Sequence, residues 1–523
     1  MNAMIFASGL QHAPTVEWGA LSALIVILGA AVLGTLVEAL PLPTLRRVVN
    51  GFLMIASILV ALGLLVWRFL TLDSIHQIAA GALLEDPVSL SFQIVLLVIS
   101  LLAALVVLGR SNPADGSFAP QAGDDPGSAQ EDYALKTSYQ RTEMFVLMLF
   151  SVGGMMVFIS ANNLLMLFVA LELMSLPLYV LSAMSRRRRL LSQEAGFKYF
   201  LLGAYASAFF LMGIALIYGF TGSLVITEIG RLTAMNPGND WMLLVGAALL
   251  LVGLFFKVGA VPFHAWSPDV YQGAPSPIAG FMAAGVKVAA FGALLRLAIF
   301  IYDVLDWDIL IMMWVVIILT IIVGTFLGIV QMDIKRMLAY SSIAHVGFIL
   351  IAFGGITSID TSSAVIFYVL TYGVATIGAF AVVSIVRDRD AEGTLRGEAS
   401  DLAAWQGLGK RHPALAGAMT IFLLSFAGIP LTGGFIGKFV VFKVGIMSGG
   451  AALVLIGLIA SVITAFYYFR VILKMFFTEP AEETATIPSG DVLTKMVIIC
   501  CAVITIALGV AAQPVLAILA PVA

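Results

Sequence analysis

Fourteen apolar runs, each about 20 residues or longer, follow one another between residues 17 and 519 with short polar connections between most of them. A helix of that length matches the roughly 30 Å hydrocarbon core of a bilayer. In hydrocarbon only helices and closed barrels satisfy every backbone polar group. The runs therefore predict an all-α polytopic membrane protein of about 14 transmembrane helices. Its composition agrees, with 61% hydrophobic and 11% charged residues against roughly 45–50% and 25% in soluble domains. A net charge of -3 gives no reason to expect nucleic acid as a partner.

The runs lie near 17–39, 48–70, 88–109, 142–160, 163–184, 195–220, 241–271, 275–300, 309–331, 336–356, 362–386, 412–447, 451–477 and 491–519. A missed or invented span would scramble the alternation of basic residues between loops. It is not scrambled: odd-numbered connections hold Arg46, Arg47, Arg110, Arg186 to Arg189, Lys335, Arg336, Arg387, Lys410 and Arg411, whereas the even ones hold just Arg68 and Arg231. By the positive-inside rule the odd connections face inward and both termini outward. No Lys or Arg precedes the first run, so it is expected to be a retained span and not a signal peptide.

Two runs are too long for one straight helix, and each carries a breaker. Run 241–271 contains Pro262, and run 412–447 contains Gly428, Pro430, Gly433 and Gly434. Broken helices survive in a bilayer only where the freed backbone is buried in protein or lines water. If spans 4–8 form one unit and spans 9–13 another, the two have opposite orientation and the breaks fall in the fourth span of each. Matched interruptions of this kind point to a transporter with inverted repeats and ion sites at mid-membrane. The expected organisation is a three-helix segment (1–110), a loose cytoplasmic loop (111–140), two five-helix repeats (141–300 and 301–480) and a last helix (481–523).

Ionisable residues inside spans are costly and by default functional. Lys257, Lys287 and Lys438 lie in apolar, Gly-rich sequence, with a structural buried ion pair as the alternative for each. Burial disfavours charge and a nearby carboxylate favours it, so a lysine held between the two can exchange its proton when the partner moves. Glu172 is the one carboxylate in the middle of a span; it could equally be a protonated carboxyl on a backbone carbonyl. Depth along the helices leaves a gap of about 10 Å between it and Lys257, and spacing alone does not pair them. His345 stands mid-span with Ser341 and Ser342 one turn below, as a proton relay or as a histidine satisfied by a helix carbonyl. His264 lies at the first break. Lys443 and Arg296 fit snorkelling and anchoring, the latter with Asp303 and Asp306 nearby, and Tyr340 fits interface packing.

Other chemistry is poorly provided for. The two cysteines are the adjacent Cys500 and Cys501, which leaves no disulfide framework or CxxC site. Of the five histidines, His12, His76, His264, His345 and His412, just two lie near mid-span, which disfavours a bis-histidine haem. No nucleotide-binding fingerprint follows a strand pattern.

At these residues the chain resembles a known family. FKVGAVPFHAWSPDVYQGAPSP, YSSIAHVGF and GIPLTGGFIGKF look like the antiporter-like membrane subunits of respiratory complex I, the proton-translocating NADH:quinone oxidoreductase, over nearly the whole chain. Of the family's members, one would carry an acidic residue where Lys438 stands and another a long lateral helix after the last span; the resemblance implies the third. It also implies fourteen helices in two inverted repeats, each a half-channel. Lys257 matches the broken-helix lysine, Glu172 its glutamate, Lys287 and His345 the connecting residues, and Lys438 the exit-side lysine. By resemblance the chain binds no cofactor; flavin, iron–sulfur clusters, NADH and quinone belong to other subunits. The implied partners are the other membrane-arm subunits, the lipid bilayer, protons and internal water, in a bacterial inner (plasma) membrane. A subunit of a multi-subunit cation/proton antiporter, which shares these motifs, is the alternative.

Overall fold

A computed structural model describes residues 17–111, 116–119, 125, 128–136, 142–234, 241–355, 359–389, 395–479, 485, 487 and 491–519. His12 lies outside them. The helices are α1 Trp18–Glu38, α2 Pro43–Thr71, α3 Pro87–Gly109, α4 Ala129–Lys136, α5 Glu143–Ser160, α6 Leu164–Ser182, α7 Arg189–Thr221, α8 Ile226–Ala234, α9 Trp241–Val258 and α10 Trp266–Gly273. They continue as α11 Ser276–Phe281, α12 Lys287–Ile329, α13 Ile334–Leu350, α14 Ile359–Ile385, α15 Leu408–Arg411, α16 Pro413–Ala427, α17 Gly433–Met447, α18 Ala451–Phe477, α19 Val492–Val510 and α20 Ala512–Leu519. Two short antiparallel hairpins, β1–β2 (His76–Ile78, Leu83–Glu85) and β3–β4 (Arg387–Arg389, Leu395–Glu398), are the sheets among the described residues.

Among the described residues, thirteen helical stretches are long and apolar enough to cross a membrane. The fourteenth expected span, 412–447, is instead the pair α16 and α17, 15 residues each. Between spans 8 and 9 the connection is itself helical, since α12 continues to Ile329; Asp303 and Asp306 lie where side chains are not described. The expected loose loop is partly pinned. Ala119 N–H donates to Met184 O (2.8 Å) and Arg186 N–H to Ser117 O (2.9 Å), and Phe118 is buried.

Helix starts follow from local caps. Asn163 accepts from Leu165 and Met166 N–H, and Asp333 from Lys335 and Arg336 N–H, satisfying donors that a helix start leaves free. Asp86 caps α3 in a capping box with Ser89.

Burial grades from rim to centre. α1, α2 and α7 leave large apolar side chains such as Leu36, Phe52, Leu70, Phe197 and Tyr205 exposed, as lipid-facing or subunit-facing surfaces do. By contrast the stretch Ser276–Ala298 is buried throughout, and α13 and α14 almost so. Two crossings are unusually close. A methyl built on Gly154 of α5 would lie 2.4 Å from Met174 N of α6, and one on Gly324 of α12 would lie 2.4 Å from Ala344 N of α13. These crossings require glycine.

The connections sort by charge as expected. Arg186 to Arg188, Gln272, Lys335, Arg387 and Glu398, drawn from four connections, line one cavity. At the opposite end isolated bridges Leu83↔Ala161 and Asn163↔Val225 join the even connections. There Glu85 and Asp86, adjacent in sequence, hold Arg68 (2.6 Å) and Arg296 (3.1 Å). Arg296 is thus anchored, by Asp86.

Candidate functional site

The helical runs that carry Lys257 and Lys438 are interrupted in the same way. α9 ends with Gly259 at φ +81°, Gly259 N–H bonding to Phe255 O (2.9 Å) and Ala260 N–H to Phe255 O (2.8 Å). α16 ends with Gly428 at φ +81°, Gly428 N–H bonding to Leu424 O (3.1 Å) and Ile429 N–H to Leu424 O (3.0 Å). Both are glycine caps in the left-handed region, where a Cβ would be strained.

The lysines stand on opposite sides of these breaks. Lys438, on the helix after its break, donates to Phe426 O (2.9 Å), Ala427 O (3.0 Å) and Ser461 Oγ (2.7 Å). Those two carbonyls are the free ones at the end of α16, the negative pole of a helix, where a cation is stabilised. Lys257 precedes its break, and the neighbouring carbonyl, Phe256 O, is taken by the Trp266 indole N–H (2.9 Å). Its ammonium donates instead to Ser175 Oγ (2.7 Å).

Glu172 and Lys257 are therefore not a contact ion pair. Glu172, half-buried on α6, accepts from Ser207 Oγ of α7. Ser175, one turn further along α6, takes the lysine. Around Lys257 lie the rings of Tyr179, Tyr199 and Phe256, 5.4–5.6 Å from the ammonium. The Tyr199 hydroxyl is buried with no hydrogen-bond partner among the described residues, which fits it to hold water, since buried polar groups seldom stay unpaired.

Lys287 opens α12 just after a π-helical turn, Met282–Val286. Such turns often mark functional sites. Its ammonium donates to Ser342 O (2.9 Å) and to Ser342 Oγ, beneath the ring of Tyr372 (5.4 Å). One turn along α13, His345 shares hydrogen bonds with the Tyr368 hydroxyl at Nδ1 (2.9 Å) and the Tyr468 hydroxyl at Nε2 (3.3 Å); Tyr468 in turn pairs with Ser341 (2.5 Å). The imidazole also packs on Phe426 (5.5 Å between ring centres), whose carbonyl holds Lys438.

Lys287, His345 and Lys438 thus form one connected cluster of hydroxyls, rings and carbonyls. Beside Lys257 an aromatic chain begins: Tyr199 stacks on Trp266 (4.6 Å) and Trp266 meets Tyr271 (5.8 Å). No described ion pair includes any of the three lysines. His264 lies apart, in the turn before α10, with Nδ1 unpartnered. Lys443 is exposed and Tyr340 packs with Val261 and Ile343, as expected of both. Missed from the sequence were Ser175, Ser207 and Ser461 and the tyrosines 199, 368, 372 and 468; a hydroxyl in mid-span was the available signal.

The sequence and the fold are matched in known proteins. A family described as NADH:quinone oxidoreductase/Mrp antiporter, TM, matches residues 161–464. NADH-quinone oxidoreductase subunit N of Beutenbergia cavernae is 49% identical over 97% of this chain and 98% of its own length. The chain belongs to the NADH-quinone oxidoreductase subunit N family. Another member, from Mycobacterium tuberculosis strain H37Rv, is 46% identical over 96% of this chain and 97% of its own. Among solved structures, a chain of respiratory complex I from Thermus thermophilus with bound aureothin is 32% identical and superposes with a TM-score of 0.75 over 96% of this chain and 100% of that one. A chain of the Mrp complex from a Dietzia strain, 21% identical, shares the fold with a TM-score of 0.79 over 97% of both chains.

Proposed function

We propose that this chain is a membrane-arm subunit of a bacterial NADH:quinone oxidoreductase that moves protons across the plasma membrane along Glu172, Lys257, Lys287, His345 and Lys438, with water filling the gaps. One observation carries the reading. Three lysines and a histidine are buried within the spans, held by hydroxyls and carbonyls and by no described carboxylate, so each can lose a proton without breaking an ion pair. An ammonium there is favoured while Glu172 stays close and disfavoured when the carboxylate is drawn off. Rearrangement in neighbouring subunits, driven by redox chemistry elsewhere, would shift Glu172 and push the Lys257 proton towards Lys287. Each proton moved against the potential costs about 2.3 kcal/mol per 100 mV.

On this reading the chain carries no redox centre of its own; flavin, iron–sulfur clusters, NADH and quinone sit in partner subunits. The basic end faces inward and both termini outward, with lipid against the exposed rim. Residues 141–300 and 301–480 are the two inverted repeats. Supporting that division, the close crossings Gly154–Met174 and Gly324–Ala344 fall between the first and second spans of each repeat, beside Glu172 and His345. His264 is the least supported member of the path.

The test is Lys257→Ala in the assembled complex. NADH-driven proton pumping should be lost, and pumping at the wild-type rate would overturn the assignment. The family description also names the Mrp antiporters, so a cation/proton antiporter subunit is the second reading. It requires that the purified complex lack flavin and iron–sulfur absorbance.

A further inference from the structure

Outside the buried row, the most heavily engaged carboxylate is Glu398, the last residue of β4 at the basic end. It accepts from Ser276 N–H (3.3 Å) and Oγ (2.5 Å), from Lys335 Nζ (3.1 Å) and from Ser117 Oγ (3.1 Å). The Lys335 and Glu398 side chains are just 4% and 12% exposed, although they border a cavity that Arg186, Arg187, Arg188 and Arg387 also line.

Its partners begin the two helices that meet at the centre of the row. Ser276 is the first residue of the buried run leading to Lys287, and Lys335 is the second residue of α13, which carries Ser342 and His345. One side chain therefore ties both helix starts together. The segment beyond it is laced to α13: Ile334 N–H donates to Ser400 O (2.7 Å) and Leu402 N–H to Met332 O (2.9 Å), while Arg188 holds the Ser400 hydroxyl (2.5 Å). Lys335 also donates to Ala274 O (2.6 Å), just ahead of the run.

At 1.5 Å per residue, Lys287 lies about 17 Å beyond Ser276 and Ser342 about 11 Å beyond Lys335. A rigid helix transmits an axial shift at its start undiminished to those positions. A slide of about 1 Å is enough to break a hydrogen bond, given the narrow range of bonded distances.

We propose that Glu398 is a positioning residue: from hairpin β3–β4 it fixes the register of Lys287 against Ser342, and so controls proton exchange between Lys287 and His345. This rests on the proton path proposed above. It also makes the hairpin the place where a movement at the basic face would reach the buried row.

The test uses the assembled complex, with its content normalised by native gel. Glu398→Gln should slow NADH-driven pumping about 10-fold, the loss expected for a charged hydrogen bond, and Glu398→Asp should recover most of it. Ser276→Ala, which removes one bond only and serves if Glu398→Gln fails to assemble, should slow pumping by a smaller factor. In a Ser342→Ala background, where Lys287 keeps just the Ser342 backbone carbonyl, both substitutions should slow pumping by much smaller factors than in wild type. Full additivity in that background, or wild-type pumping by Glu398→Gln, overturns the proposal. If Lys287→Ala itself pumps normally, the proton path fails and this inference with it; loss in Lys287→Ala together with additivity sinks only the positioning role.

Discussion

The Lys257 ammonium meets Ser175 Oγ at 2.7 Å while the Glu172 carboxylate accepts from Ser207. Carboxylate and ammonium are thus held on the same stretch of α6 by separate hydroxyl partners. Such an arrangement separates charge without stranding either group, and makes Ser175 as consequential as Glu172.

Ser175→Ala should remove the one hydroxyl bonded to Lys257 among the described residues. Losing a hydrogen bond to a charged group costs about 1.5–3 kcal/mol, a factor of about 10 to 100 in the population of the charged form. Proton pumping by the assembled complex should fall accordingly, and Ser175→Thr should restore it. An alanine variant that pumps normally would show that water replaces the hydroxyl.

Tyr468→Phe removes the hydroxyl shared by His345 and Ser341. Pumping should slow about 5-fold, the value of one neutral hydrogen bond of about 1 kcal/mol. Tyr467→Phe, whose hydroxyl lies 3.5 Å from that of Tyr468 and is not bonded to His345, should change the rate less. Equal effects of the two would remove His345–Tyr468 from the path.

Asp86→Ala should lower the melting temperature of the detergent-solubilised protein sharply. It strips the buried Arg296 of its carboxylate, at about 3–5 kcal/mol, and deletes the cap of α3, at about 1 kcal/mol. The test is thermal unfolding beside wild type; a shift within error would mean that Arg296 finds another partner.

Gly324→Ala should destabilise by about 1–3 kcal/mol through overpacking, since its methyl would meet Ala344 backbone. Gly29→Ala is the control, with nothing within 4 Å of its methyl, and should be neutral or slightly stabilising because alanine favours helix. Similar melting points for the two variants would contradict the close crossing.

What was readable in advance was whatever depends on distance along the chain. Apolar run length located the spans, alternation of Lys and Arg grouped the connections, and Gly428 and Pro262 marked interruptions. Azimuth and long-range pairing were hidden. Depth along α6 and α9 left Glu172 and Lys257 apart, with no means of telling that Ser175, one turn on, faces the lysine. Arg296 had acids close in sequence at 303 and 306, yet it pairs with Asp86 at the start of α3, a neighbour in space that is far away along the chain. The π turn ahead of Lys287 shifts that residue's facing by a local hydrogen-bond change that leaves no trace in hydropathy.

The glycine crossings at Gly154 and Gly324 limit how this protein can move. Two helices seated backbone against backbone cannot roll about their axes without lifting apart, and lifting would open a gap in a close-packed interior. α6 and α13 therefore behave as fixed rails. On the proposed proton path, rotamer changes and the arrival or departure of single water molecules would then alter proton affinity alongside any axial shift, with no helix rolling.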